Sequence, residues 1–348
     1  MVELRQMSNS ADILIIGPSW IGDMVMAQAL FKALKLSAPQ SAIDVTAPAW
    51  ALGVLARMPE VRNAIAMPFD HGEARLADRW RFGRSLKGRY RSAYILPGSW
   101  KSALVPFAAG ISERVGYLKE QRWGLLNRIV GLPAEQKKKT MATYQALADK
   151  RVFEDQARLL MPSLSIDQNN QKALLARFEL SRGGFAILVP GAEFGPAKRW
   201  PARHFASLAN DFMREGTKVV LVGSKKDSAA AMEIQALAPD AIDLTGLTSI
   251  IDVVDLAAAA RCVVANDSGL LHVAAAVGVP VVGVYGSTSA RHTPPQSVRA
   301  TTVSLNLPCS PCGKRTCPLG HLDCLEKLEP PLVAQALQNL EKQVLPAD

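Results

Sequence analysis

Four loops of the 348-residue chain carry side chains able to hold an anion or move a proton. In the first, Gly22-Asp23, a carboxylate stands at a strand-to-helix turn. An acid there either caps the helix or faces a ligand as a general base. The positive end of the helix keeps Asp23 ionised and weakens it as a base, whereas burial against Trp20 would raise its pKa again. The second loop, Pro190 to Pro201, is rich in Gly and Pro and ends in Lys198-Arg199-Trp200. Lys198 suits a leaving-group phosphate as a point charge and Arg199 as a fork. A solvated surface loop is the competing reading, and the neighbouring Trp200 argues against it.

The third loop is Asn266-Asp267-Ser268-Gly269-Leu270-Leu271-His272. Asp267 or Ser268 fits a helix N-cap, and Gly269 lets another group approach the backbone. Free amides and the helix dipole make this end a diphosphate site. A capped helix with no ligand fits the same residues. His272 would reach the phosphates or simply pack. In the fourth loop, Gly223 to Asp227, Asp227 is either a ribose ligand or a helix cap.

Neither G-x-G-x-x-G after a first strand nor G-x-x-x-x-G-K-[ST] occurs, which argues against a standard dinucleotide dehydrogenase or P-loop enzyme. Cys309-x2-Cys312-x4-Cys317-x6-Cys324 gathers four thiols. They would suit a structural metal, although the spacing is neither that of a zinc ribbon nor of a ferredoxin; free or redox-labile thiols are the alternative. Cys262 reads as core.

These loops need strands to hold them. Ile13–Ile16, Phe185–Val189, Val219–Val222, Cys262–Ala265 and Val279–Gly286 are apolar runs of the kind buried on both faces in parallel sheets, Ala42–Thr46 reads as a further strand and Tyr94–Pro97 as a strand end. Helical patterns alternate with them, which indicates βαβ units. A helix is expected around Trp50 to Met58, another over Tyr144 to Leu160, and a last one from about Pro331 to Val344. The stretch 161–183, with a helix after the polar Gln168–Gln171 segment and a turn at Ser181–Gly184, reads as the interdomain linker. The resulting expectation is an N-terminal domain over 1–165, a C-terminal domain over 166–330 and a helical tail over 331–348. Two doubly wound α/β domains would face each other across a cleft.

Composition narrows the class. With 49% hydrophobic and 20% charged residues the chain is an ordinary globular one. No apolar run reaches the roughly 18 residues of a membrane span, and the N-terminus lacks a secretory signal, so the expected compartment is the cytoplasm. Lys+Arg exceed Asp+Glu by 40 to 31, which calls for an anionic partner. The series Arg75, Arg79, Arg81, Arg84, Lys87, Arg89, Arg91, continued by Lys101, Arg114, Lys119, Arg122 and Arg128, concentrates that bias near the N-terminal half. A phosphorylated acceptor or an anionic membrane surface fits it; sparse aromatics and missing motifs make nucleic acid a poor fit.

Four segments in order resemble the ADP-heptose:lipopolysaccharide heptosyltransferases, inverting enzymes of glycosyltransferase family 9. They are Gly17-Pro18-Ser19-Trp20-Ile21-Gly22-Asp23-Met24, Leu96-Pro97-Gly98-Ser99-Trp100-Lys101-Ser102-Ala103, Pro190 to Pro201, and Asn266 to His272. The first and third are most similar to members that add the second heptose of the inner core. The resemblance implies the GT-B fold, two Rossmann-like domains with the donor held by the C-terminal one. It implies ADP-heptose as donor, heptosyl-Kdo2-lipid A as acceptor, no required cofactor, and peripheral association with the inner membrane. It assigns Asp23 as base, Lys198 to the donor phosphates, and Asp267, Ser268, Gly269 and His272 to diphosphate and heptose. Arg199 and Asp227 join them on the donor side; Ser19, Trp20 and Lys101 are the acceptor-side candidates. Transfer to Kdo2-lipid A itself, or a sugar-nucleotide epimerase on the same fold, are the alternative activities.

Overall fold

Ile13–Ile16 (β1) is aliphatic at every position and buried at every position, as a strand covered by helices on both faces requires. A computed structural model describes the chain over residues 12–69, 72–131, 139–148 and 159–344. Contacts divide it into two compact units: Met1–Trp20, Ala27–Lys137 and Met141–Leu160 in one; Ile21–Met26, Lys138–Thr140 and Met161–Asp348 in the other.

In the first unit β1 is joined by β2 (Ile43–Ala47), β3 (Val61–Ala66), β4 (Ser92–Ile95), β5 (Glu113–Gly116) and β6 (Arg128–Ile129). The sheet order is β3-β2-β1-β4-β5-β6, parallel throughout. Helices α1 (Ile21–Ser37), α2 (Leu52–Leu55), α3 (Leu76–Ser85), α4 (Leu104–Ala108) and α5 (Thr140–Gln145) follow the chain order. The helix expected around Trp50 to Met58 is shorter than its pattern: a 3-10 turn at Ala49–Ala51 runs into α2. That expected over Tyr144 to Leu160 overlaps only the end of α5, and 149–158 lie outside the described residues, as do Lys137 and Lys138.

The second unit repeats the design. Strands β7 (Phe185–Val189), β8 (Lys218–Leu221), β9 (Ile242–Asp243), β10 (Cys262–Asn266), β11 (Val281–Val284) and β12 (Ala300–Val303) form the order β12-β11-β10-β7-β8-β9, again all parallel. Read from the first strand of each unit, the two orders are the same. The stretch 161–183 contains the expected helix, which begins within the polar Gln168–Gln171 segment. This is α6 (Gln168–Arg177), whose N-cap Asp167 accepts from Asn169 and Asn170, and whose Asn170 and Gln171 bond Asp255. Asp255 lies in α9 (Ile250–Ala259), so α6 is a part of this unit. The remaining helices are α7 (Ala202–Arg214), α8 (Ser228–Leu237), α10 (Gly269–Val277), α11 (Asp323–Glu326) and α12 (Pro330–Val344).

Each sheet has a switch point where chain order reverses, between β1 and β4 and between β7 and β10, and open parallel sheets bind ligands beyond the strand ends there. Both switch-point loops are tied down by a buried polar side chain. In the first unit Arg122, 2% exposed, donates to the carbonyls of Pro97, Ser99 and Tyr117. In the second, Asn266 at the end of β10 donates to Pro190 O at 2.7 Å and accepts from Trp200 N at 3.0 Å, clasping both ends of the loop after β7. Asn266→Ala would strand two buried backbone groups. At about 1–3 kcal/mol for each unsatisfied group, it should lower stability by about 2–6 kcal/mol. Urea unfolding followed by circular dichroism checks this; a midpoint equal to that of the parent would contradict the clasp.

Candidate active site

Lys198 stands two residues before Trp200, whose buried indole donates to Leu328 O at 2.7 Å, so its loop is anchored on both sides. The Lys198 Nζ meets Asp267 Oδ2 at 2.6 Å and lies 4.8 Å from the centre of the Phe194 ring. Thr288, in the loop after β11, donates to the same carboxylate oxygen at 2.5 Å. Asp267 is therefore engaged by Lys198 and Thr288 rather than by the amides of α10. Ser268 is the N-cap residue of α10, yet makes no side-chain cap bond, and its buried Oγ has no partner. The capped-helix reading does not describe this terminus. Amides at its first turn keep their capacity for an anion. His272 Nδ1 and Ser287 Oγ are likewise buried without partners.

The first turn of α1 belongs with this same unit. Trp20 is its N-cap, so Asp23 is the third helical residue and not a cap. Burial raises the Asp23 pKa from 3.8 to about 6; Lys198 pulls it down, and Asp267 pushes it up. The desolvation cost thus outweighs the pull of the ammonium. Two glycines let the helix ends meet. A Cβ on Gly22 would stand 2.6 Å from His272 Cδ2, and one on Gly269 would stand 2.7 Å from Ile21 Cβ. His272 is buried, which lowers its pKa to about 4, so the ring is neutral near pH 7.

Other expected residues are placed differently. Arg199 is exposed; its backbone N–H donates to Pro196 O, and its side chain takes part in no hydrogen bond or ion pair among the described residues. Asp227 Oδ2 accepts from Ser224 N at 2.9 Å and from its hydroxyl at 2.8 Å in a capping box. Its carboxyl group covers Gly191, where a Cβ would fall 2.4 Å from Cγ. The cap accounts for these bonds, and Oδ1 is left over. In the first unit, Ser19 and Trp20 follow β1 and Lys101 follows the adjacent β4, so their loops leave neighbouring strand ends. Ser19 O accepts from the Trp50 indole at 3.0 Å, and Lys101 Nζ donates to Gly72 O at 2.7 Å.

Cys309, Cys312 and Cys317 all lie near enough to Cys324 to act on its charge, so the four thiols do gather. Cys309, Cys312, Cys317 and Cys324 are free, and no three His, Cys, Asp or Glu side chains among the described residues are arranged to hold a metal ion. Cys324 packs against Gly286, and burial foremost, with the three other thiols, raises its pKa. Backbone amides near Leu322 and Leu319 lower that of Cys317. Several basic residues are also spent internally: Arg79 on the carbonyls of Ala74 and Glu73, and Arg114 on those of Ile111 and Leu125. Conversely, Thr288, Ser287 and the Asn266 clasp were not singled out from the sequence. Uncharged hydroxyls after a strand leave only a weak signal, a Gly-Ser-Thr turn at Gly286.

Two six-stranded parallel sheets of this order, with Lys198, Asp267 and the uncapped end of α10 beyond strands of the second and the raised carboxyl of Asp23 after β1 of the first, are those of a GT-B glycosyltransferase. The model of glycosyltransferase family 9 (heptosyltransferase) matches residues 79–323, and the chain belongs to that family. Lipopolysaccharide heptosyltransferase 2 of Escherichia coli K12 is 43% identical over 340 residues, covering 94% of this chain and 98% of the relative. Lipooligosaccharide heptosyltransferase 2 of Haemophilus influenzae Rd is 44% identical over 309 residues, 84% of this chain and 88% of the relative. The solved structure of E. coli ADP-heptose lps heptosyltransferase II matches with a TM-score of 0.84 at 41% identity, over 95% of this chain and 99% of that one.

Gly22→Ala tests the glycine contact. Helix propensity alone favours Ala by about 1 kcal/mol, but an overpacked methyl costs about 1–3 kcal/mol, so the melting temperature should fall. His272→Ala should suppress that loss in the double variant. Strictly additive effects would mean that the ring is not what the methyl meets.

Proposed function

We propose that the protein transfers heptose from ADP-heptose to the heptose already on Kdo2-lipid A, with inversion, in building the lipopolysaccharide inner core. What supports this most is a carboxyl group with a pKa of about 6 beside the Lys198–Asp267 pair and a helix end that no side chain caps. Family membership and the names of the relatives supply the sugar and the acceptor class.

In this reading Asp23 takes the proton of the acceptor hydroxyl as its oxygen bonds to the anomeric carbon. The bond from that carbon to the diphosphate breaks, and ADP leaves with the electron pair. Charge grows on the departing diphosphate, where Lys198 and the α10 amides meet it. Donor binding draws Lys198 partly away from Asp267, which Thr288 continues to hold. Neutral His272 and the Ser268 hydroxyl are free to bond phosphate or sugar oxygens. One carboxylate suffices because no covalent enzyme intermediate forms. The positive charge required is on the protein, so the step asks for no metal. Arg199 and Asp227 Oδ1 serve the donor; Ser19, Trp20 and Lys101 serve the acceptor.

Asp23 must be ionised to act. In a group raised to about 6, kcat/KM should climb as pH rises through about 6 and level off above it. Asp23→Asn should cut turnover by about 10²–10⁴-fold and abolish that acidic limb while ADP still binds. Near-parental turnover in this variant would remove Asp23 from the mechanism. Lys198→Ala should weaken ADP binding by about tenfold or more, the worth of a charge-assisted bond. Calorimetric titration with ADP reads this directly, and unchanged affinity would end the phosphate role.

A further inference from the structure

The charge and the tryptophans of this chain are unevenly distributed. Residues 1–160 hold 23 Lys+Arg and 14 Asp+Glu, and residues 161–348 hold 17 of each, so the whole formal charge of +9 falls in the first stretch. Five of the six tryptophans, Trp20, Trp50, Trp80, Trp100 and Trp123, also fall there, and each is 39–66% exposed; Trp200 is 2% exposed. Large aromatics left in water beside excess positive charge need a partner that is both apolar and anionic.

On α3 the two properties coincide. Its inner face, Arg79 and Gly83, is buried, and Gly83 is pressed against Val105 O and Ala108 of α4. Its outer face carries Leu76, Trp80, Arg81 and Arg84, all exposed. Phe107, the exposed residue of α4, sets its ring 6.4 Å from that of Trp80. Arg114 lies 5.4 Å from the centre of the same phenyl ring. Asp78, the one acid of α3, is already paired with Arg75 and Arg81. Arg84 and, just past the helix, Lys87 are exposed and in no ion pair among the described residues.

We propose that Leu76, Trp80 and Phe107, flanked by Arg81 and Arg84, form the surface by which the first unit docks on an anionic phospholipid bilayer. Trp80 suits the headgroup boundary, where its apolar ring enters the acyl region and its indole N–H stays wet, and Leu76 and Phe107 add apolar area. Arginines beside them meet lipid phosphates. No described helix is long and apolar enough to cross a membrane, so the contact is one of lying on the surface. The proposal deepens the acceptor reading above and rests on it for its purpose, since a lipid-anchored acceptor is presented at such a surface.

Cosedimentation of the full chain with phosphatidylcholine vesicles, and with vesicles of phosphatidylcholine mixed with phosphatidylglycerol, tests it. The parent protein should bind the mixed vesicles and not the neutral ones. Trp80→Ser/Phe107→Ser should weaken that binding by at least about tenfold, the worth of burying part of two aromatic rings. Arg81→Gln/Arg84→Gln should weaken it by about thirtyfold at low salt, and by less as salt rises. Both variants should keep the parental melting temperature and turnover on a water-soluble, deacylated acceptor. Absence of parental binding to the mixed vesicles overturns the proposal. So does binding that the arginine variant loses but the aromatic variant keeps, because a general polyanion site would behave that way. Failure to transfer heptose to the soluble acceptor would instead strike the functional reading and leave the vesicle result standing.

Discussion

A single ammonium in company with two carboxylates governs the site. Asp267 holds Lys198 by a 2.6 Å bond, and Asp23 is close enough to feel both charges. Were Lys198 neutral or displaced, the two acids would repel each other without relief, and burial would drive Asp23 further toward its protonated form. Were Asp267 absent, Lys198 would have no fixed position before the donor arrives. Much of the second unit serves to keep that trio in register: the Asn266 clasp, the anchored Trp200 indole, and the glycines that let α1 and α10 approach.

The central strands were legible because a parallel sheet buries both faces of its inner members. Ile13–Ile16, Phe185–Val189 and Cys262–Ala265 each read as unbroken apolar runs, and each is wholly buried. The outer strands were not. Val61–Ala66 carries Arg62 and Asn63 and is half-exposed; Arg128–Ile129 and Ile242–Asp243 are two residues long; Ala300–Val303 is partly open along its length. Edge strands are short and wet, and the signal that reveals a core strand is missing from them. Helix ends were blurred for a related reason, since Trp50 and Trp100 sit in 3-10 turns that no apolar period marks.

Within the site, legibility followed charge. Lys198, Asp23 and Asp267 stood out as ionisable groups at strand ends, and the structure brings these three together. The sequence left open whether Asp267 or Ser268 capped its helix, because both are good caps; only a three-dimensional partner such as Thr288 decides where a carboxylate goes. Cysteine spacing suggested a cluster, and the other three thiols do act on Cys324, but a spacing does not fix how thiols are oriented. Packing against Gly286 and nearby backbone amides decides where two of them rest. Arg122 shows the opposite error, a residue read as surface charge that is an interior brace.

The elevated pKa of Asp23 has a cost for ruggedness. An unfolded chain ionises this group near 3.8, and the folded one only near 6. Native protein therefore holds the extra proton between those values, and the group's contribution to stability declines as pH rises through that interval and is fully lost above it. The deficit is on the order of 2–3 kcal/mol. Selection of variants for heat tolerance at neutral pH would accordingly enrich amides at this position, and the most durable clones from such a screen would be the inert ones.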